Sequence, residues 1–206
     1  TARFDHDFQI IQSERKKFST VAINIHNFKG INDLFGKNKG DYVLCYIKKI
    51  IDENLKDGEF FCRDTADLFY ILMLDTDEAV ITKRIRKIID YISKASLAYG
   101  EYSYELSLYA GVAIGGDREK ALVAMQSIKN THHTDIAFYN HNMHDALRRK
   151  NSIESQMYPA LQNREFKLFL QPKFDIKNNR LIGAEALVRW QNLNGSYRYP
   201  NEFIPL

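Results

Sequence analysis

The chain has 206 residues, 45% of them hydrophobic, and a formal net charge of +3. That content supports a full core and excludes disorder, and so small a charge excess makes neither nucleic acid nor an anionic membrane a required partner. No apolar run approaches the roughly 18 residues of a membrane-crossing helix and no secretory signal is apparent. Cys45 and Cys62 lack metal-ligand spacing and sit in apolar surroundings. Two buried thiols and a cytoplasmic setting are therefore expected. The length suits one domain plus part of another. Thr1 in place of a methionine, and an end inside the ordered-looking NEFIPL, are read as a piece of a longer parent, with room upstream for a sensor or membrane anchor.

In chain order, STVAINIHNF (19–28) is β-rich and apolar and predicts a buried strand. GINDLFGKNKGDYVLCYIKKIIDENLKDG predicts a short helix, a glycine-bearing turn and a helix from Lys39 to Leu55, its apolar face being Tyr42, Leu44, Cys45, Ile47, Ile50 and Ile51. FCRDTADLFYILML (61–74) predicts two strands around a polar turn. That turn has no glycine, proline or asparagine, so it is either an ordinary loop or one inherited from a turn built for something else. TDEAVITKRIRKIIDYISKASLAYG (76–100) predicts an amphipathic helix capped by Thr76. YELSLYAGVAIGG (104–116) predicts a strand, DREKALVAMQSIKNT a helix capped by Asp117, and DIAFYN (135–140) a short strand.

The order β-α-β-β-α-β with an added helix and strand predicts an α+β, ferredoxin-like layer, an antiparallel-rich sheet with helices on one face, over residues 1–140. Residues 141–164 read as a charged connecting helix. EFKLFLQPKFDI and RLIGAEALVRW then predict two strands joined at Lys177-Asn178-Asn179, within a segment 165–206.

Three segments carry a family resemblance. AINIHNFKGINDLFGKNKGD (22–41) resembles D-x-D-x-F-K-x-I-N-D-x-x-G-x-x-x-G-D, and RDTADLF (63–69) stands where the same family has R-x-G-G-D-E-F. FLQPKFDIKNNRLIGAEALVRW (169–190) resembles QP…GAEALxRW. The first two resemble a GGDEF domain, the bacterial diguanylate cyclase fold. The third resembles the opening of an EAL domain, the cyclic-di-GMP phosphodiesterase, a TIM-type barrel of about 250 residues that this chain only begins.

The resemblance implies a worn signature loop, with Thr65-Ala66-Asp67-Leu68-Phe69 in place of Gly-Gly-Asp-Glu-Phe. Glycine lets backbone approach phosphates and tolerates positive φ. A left-handed Thr65 would cost about 1–2 kcal/mol, so the loop is expected to have changed shape. Leu68 replaces the family's glutamate, Asp67 keeps the acid before it, Asn24 replaces the metal aspartate of the first strand, and His26 replaces the second aspartate. Phosphoryl transfer needs divalent metals, which take hard anionic oxygens. The resemblance therefore implies a cyclase site too depleted for turnover. Asn32 and Asp41 match residues that hydrogen-bond guanine, and Lys129 matches a phosphate-binding lysine, whereas the arginine expected after it is His133. Residual GTP binding stands beside the plainer reading that Asn32 and Asp41 brace helix ends.

The family's inhibitory product site, Arg-x-x-Asp, is represented by Lys56 and Glu59; the charges are kept but lysine cannot form a bidentate clamp, so product binding there stands beside the plainer reading of two solvated charges. In the EAL segment, Glu185 corresponds to a catalytic Mg²⁺ or Mn²⁺ ligand of the complete domain, and Gln171, Leu187 and Arg189 to contacts with cyclic-di-GMP. No metal is expected to be required by these 206 residues themselves. Implied partners are GTP, cyclic-di-GMP, the EAL domain of the same chain and a second copy, with the two barrel strands free to fold back, pair with another chain or stay mobile.

Three rival readings stand beside this one. His132, His133, His141 and His144 could hold zinc or form a solvated titrating cluster. Twelve tyrosines and thirteen phenylalanines raise an RNA-binding sheet, yet LFYILMLD and LSLYAGVA lack the basic flanks it needs. A docking or dimerisation module with an empty nucleotide groove, in a cyclic-di-GMP receptor, is the third.

Overall fold

A computed structural model describes residues 8–11, 17–94, 96–99, 102–129, 135–192 and 195–204. The chain divides into two compact units, Thr1–His144 and Asp145–Leu206.

In the first unit the middle strand is β1 (Ser19–Ile25), buried along almost its whole length. It pairs antiparallel with β3 (Phe69–Met73) on one side and β6 (Leu108–Ile114) on the other. β2 (Phe60–Arg63) pairs antiparallel with β3, and β7 (Ile136–Phe138) runs parallel to β6, giving a five-stranded sheet ordered β2-β3-β1-β6-β7. Strand periodicity sends alternate side chains to opposite faces. Val21, Ile23, Ile71, Met73, Ala110 and Val112 therefore point one way. They meet Val43, Leu44, Ile47 and Ile51 of α2 (Lys37–Glu53) and Ile81, Ile85, Ile88 and Ile92 of α3 (Glu78–Ser93).

Ala22, Tyr70, Leu72, Tyr109 and Ala113 point the other way, onto Ala121, Ala124 and Met125 of α4 (Arg118–Ser127). Helices thus cover both faces, not one. Small residues make the second contact possible: a Cβ on Gly111 would collide with the backbone of Ala121 and Met125. α1 (Phe28–Phe35) precedes α2, and the chain reverses between them at Gly36, with φ at +81°.

Several local expectations are corrected. α3 ends at Ser93, not residue 100, and 96–99 form β4 (Ser96–Tyr99), paired antiparallel with β5 (Tyr102–Glu105). The isoleucine face stops at Ile92, and the tyrosine-bearing stretch beyond it favours strands. The cap of α3 is Asp77 rather than Thr76, its Oδ1 accepting from the Val80 N–H at 3.0 Å. The strand expected at 104–116 is split into β5 and β6. On α2 the buried positions are Gly40, Val43, Leu44, Ile47 and Ile51, which leaves Tyr42 and Cys45 exposed; Cys62, on an edge strand, is half-buried. Asp117 caps α4 as expected, accepting from the Lys120 N–H at 3.0 Å.

The second unit takes in most of α5 (His141–Gln162), then β8 (Phe166–Asp175), β9 (Arg180–Gln191), β10 (Tyr197–Arg198) and α6 (Pro200–Phe203). Its sheet is ordered β10-β9-β8. The core is small: Ile153, Ala160, Trp190 and Phe203, with Met157, Phe166 and Val188 packed on it. The β8–β9 turn is where the sequence places it, and Asp175 Oδ1 accepts from the Lys177 N–H at 2.9 Å. No helix among the described residues is long and apolar enough to cross a membrane.

Candidate functional site

A groove of about 620 Å³ opens where the end of β1, the start of α1, the β2–β3 loop and the end of α4 converge. The sheet supplies its floor. Asn24 lies directly across from Tyr109 in the β1–β6 register, and the Tyr109 hydroxyl donates to Asn24 Oδ1 at 3.0 Å. Burial, and then the negative charge of Asp67, push the Tyr109 phenol up to about 12. The His26 ring lies tilted over the Tyr109 ring, their centroids 4.5 Å apart.

The β2–β3 loop forms one wall. The Asp64 N–H donates to the Leu68 carbonyl and the Leu68 N–H to the Thr65 carbonyl, both at 2.9 Å. Arg63 Nε donates to the Ala66 carbonyl at 2.6 Å. The left-handed residue is Ala66, at φ +47°, and not Thr65. The loop thus keeps a positive-φ turn one residue beyond the place where strain was expected, and an unbranched side chain bears it. Leu68 is half-buried against the alanine-rich core beneath α4 and anchors the loop by apolar contact. Lys29 and Lys129 also line the groove, and both are exposed.

Asp67 is the one carboxylate among the described groove-lining residues. The donor set does not fit a magnesium pair. The Asn24 oxygen is neutral and bonded to a phenol, Leu68 has no donor, and His26 is a nitrogen ligand where hard oxygen is wanted. No cluster of three or more His, Cys, Asp or Glu among the described residues is placed to hold a metal ion.

The structure thus brings Asn24, Thr65, Ala66, Asp67, Leu68 and Lys129 together around one groove. Phe69 is buried in the core behind it. Asn32 and Asp41 are not among its lining residues: the half-buried Asn32 amide lies against Gly40, and Asp41 is exposed on α2. His132 and His133 lie outside the described residues. His141 and His144 flank the Tyr139 ring at 5.9 and 6.1 Å.

Lys56 and Glu59 are not two solvated charges. The Glu59 carboxylate is fully buried and takes both Arg84 terminal nitrogens at 2.6 Å each. It also accepts from the N–H groups of Lys56 (2.8 Å) and Leu74 (3.1 Å). Asp75 joins Arg84 at 2.6 Å and Lys56 at 3.0 Å. Burial pushes the Glu59 carboxyl up, but the Arg84 hydrogen bond and the backbone donors outweigh it and hold it below the usual range. Arg84 and Asp75 were missed from sequence. The signal was present: Arg84 sits beside Ile81, Ile85 and Ile88 on the buried face of α3, where a guanidinium needs a carboxylate.

In the second unit, Gln171 pairs with Glu185, Phe169 with Leu187 and Lys167 with Arg189. Directly opposed residues share a face, so Gln171, Glu185, Leu187 and Arg189 stand in a row on one side of the hairpin. Glu185 meets Lys173 Nζ at 3.2 Å.

The chain matches the family model "Diguanylate cyclase, GGDEF domain" over residues 1–141 and the "EAL domain" model over 154–206. It belongs to the GGDEF family, followed by the start of an EAL domain. Among curated proteins it is 31% identical to Signaling protein YkoW of Bacillus subtilis, over 91% of this chain and 25% of that protein. It is 25% identical to the bifunctional diguanylate cyclase/cyclic di-GMP phosphodiesterase MucR of Pseudomonas aeruginosa, over 96% and 30%. Identity to the cyclic di-GMP phosphodiesterase PdeR of Escherichia coli is 23%, over 96% and 31%. The chain thus spans between a quarter and a third of these relatives. Among solved structures, the GGDEF domain of DgcB from Caulobacter crescentus in complex with c-di-GMP superposes with a TM-score of 0.58 at 18% identity, over 66% of this chain and 86% of that one. The S helix-GGDEF-EAL portion of Vibrio cholerae LapD gives 0.58 at 14% identity, over 98% and 49%.

Proposed function

We propose that residues 1–140 are a regulatory GGDEF domain that holds GTP without turning it over, joined by a helix at 141–164 to an EAL segment at 165–206, in a parent cyclic-di-GMP phosphodiesterase. The observation that carries the first part is the bond between the Tyr109 hydroxyl and Asn24 Oδ1, which occupies the oxygen where a metal ligand would stand. With Leu68 beside it, the site lacks the charge to organise two divalent ions around a reacting phosphate. In this reading Lys129 and Asp67, which line the groove, face the phosphates, while Asn32 and Asp41, which lie outside that lining, take the base through the family resemblance alone.

Relatives named as cyclic di-GMP phosphodiesterases support the reading of the parent. In the complete EAL domain Glu185 would hold Mg²⁺ or Mn²⁺, while Gln171, Leu187 and Arg189 would bind cyclic-di-GMP; their shared face on the β8–β9 hairpin supports this. The parent works in the cytoplasm, with its own EAL domain and a second copy of the chain as partners.

A second reading, a docking or dimerisation module that binds no nucleotide in a cyclic-di-GMP receptor, is favoured by the position of Asn32 and Asp41 outside the groove lining. Calorimetric titration of the 206-residue chain with GTP separates the two. Saturable heat that disappears in Asn32→Ala supports nucleotide binding, and silence at millimolar GTP leaves the docking module. For the parent, hydrolysis of cyclic-di-GMP should be abolished by Glu185→Ala.

A further inference from the structure

We propose that the groove selects the metal-free polyphosphate form of its nucleotide, with Lys29 and Lys129 supplying the positive charge and Mg²⁺ acting as an antagonist. The inference rests on the GTP-binding reading above and goes beyond it in naming the ligand's charge state.

A divalent ion carried in on a nucleotide keeps its affinity for a protein when anionic oxygens complete its shell. Here the oxygen at Asn24 is neutral and receives the Tyr109 hydroxyl at 3.0 Å. At position 68 a leucine packs into the core, and at 26 an imidazole lies over the Tyr109 ring. One carboxylate, Asp67, remains among the described lining residues. Against it stand two lysine ammonium groups on the same groove, both exposed and able to turn toward a ligand. Binding Mg²⁺ removes two negative charges from the triphosphate and sets a cation among cations. The Coulomb term therefore favours the uncomplexed ligand over its magnesium complex. Asp67 acts in the opposite sense to its place in a metal site: with no cation to hold, its carboxylate repels phosphate.

The test is calorimetric titration of the 206-residue chain with GTP at matched ionic strength, in EDTA and in excess Mg²⁺. Binding should be tighter in EDTA by about twofold to fivefold, the scale of one exposed ion pair. Lys29→Ala and Lys129→Ala should each weaken the EDTA titration; both side chains are exposed, so the fold should hold, and an unchanged melting temperature checks it. Asp67→Asn should strengthen it, an effect that a purely structural role would not give. The double substitution Asn24→Asp with Leu68→Glu should reverse the order, making Mg²⁺ an aid. Equal or tighter binding with Mg²⁺ in the unaltered chain overturns this inference and leaves GTP binding standing. No heat under either condition overturns both.

Discussion

Ala66 and Glu59 show how differently single residues carry the first unit. Ala66 holds φ at +47° in the loop, a region that costs a residue with a Cβ about 1–2 kcal/mol. Ala66→Gly removes that strain but loosens the unfolded chain, so a net gain of about 0.5–1 kcal/mol is expected in urea denaturation. Glu59 is the opposite case, a carboxylate with no exposure, held by Arg84. Arg84→Ala leaves that charge buried without its partner and should cost about 3–5 kcal/mol. The pH dependence follows from the depressed carboxyl. The folded chain takes up this proton less readily than the unfolded chain does. The stabilisation is therefore complete above the ordinary carboxylate value of about 4.3 and is lost as pH falls through the lower folded value. Urea midpoints measured between neutral and strongly acid pH should fall less steeply in Glu59→Gln. The sequence disclosed the depletion of carboxylates at 24, 26 and 68, because identity alone carries that information. It did not disclose the Tyr109–Asn24 bond or the Glu59–Arg84 pair. Each joins residues far apart in the chain, and the strand register or helix packing that unites them is a property of the folded molecule.

Among the elements, the contact of β6 with α4 is the least forgiving. A Cβ on Gly111 would strike the backbone of Ala121 and Met125, and backbone cannot turn aside as a side chain can. Gly111→Ala should destabilise the chain by about 1–3 kcal/mol, with accelerated amide exchange along α4. Gly183→Ala, where an added Cβ meets nothing within 4 Å, is the matched control and should change stability by less than about 0.5 kcal/mol. Most elements were legible because their patterns are strong: the isoleucines of α3 recur at helical spacing, and β1 is rich in β-branched residues around Val21, Ala22 and Ile23. The end of α3 was not legible, since Ser96–Tyr99 carries apolar residues that can extend a helix or build a strand, and pairing with Tyr102–Glu105 decided it. Coverage of both sheet faces was not legible either, because alanine and glycine, which admit α4, give a weak hydrophobic signal.

For the molecule as a whole, the β8–β9 hairpin dominates surface behaviour. Leu168, Leu170, Phe174, Leu181 and Ile182 are each at least 60% exposed, and Ile176 is 93% exposed. Apolar surface gathered on one hairpin, with β8 at the edge of its sheet, is a template for association. Sedimentation velocity should show the weight-average mass rising with concentration, and Leu168→Lys with Leu170→Lys should suppress the rise. The two-part organisation could be read from the motifs at 22–41, 63–69 and 169–190. For this hairpin the sequence left folding back, pairing with another chain and mobility all open, because its apolar residues look the same whether or not another layer covers them.

The phenol–amide bridge across β1 and β6 has a consequence for how such a domain can convey information. A cleft lined with opposed carboxylates waits for cations to relieve their mutual repulsion, whereas this one is already satisfied across its base. On the proposed reading, in which nucleotide is held without turnover, occupancy of that surface would register as added stability of the domain. At a ligand concentration one hundred times the dissociation constant, that gain would be about 2.7 kcal/mol, a reach of influence that asks for binding alone.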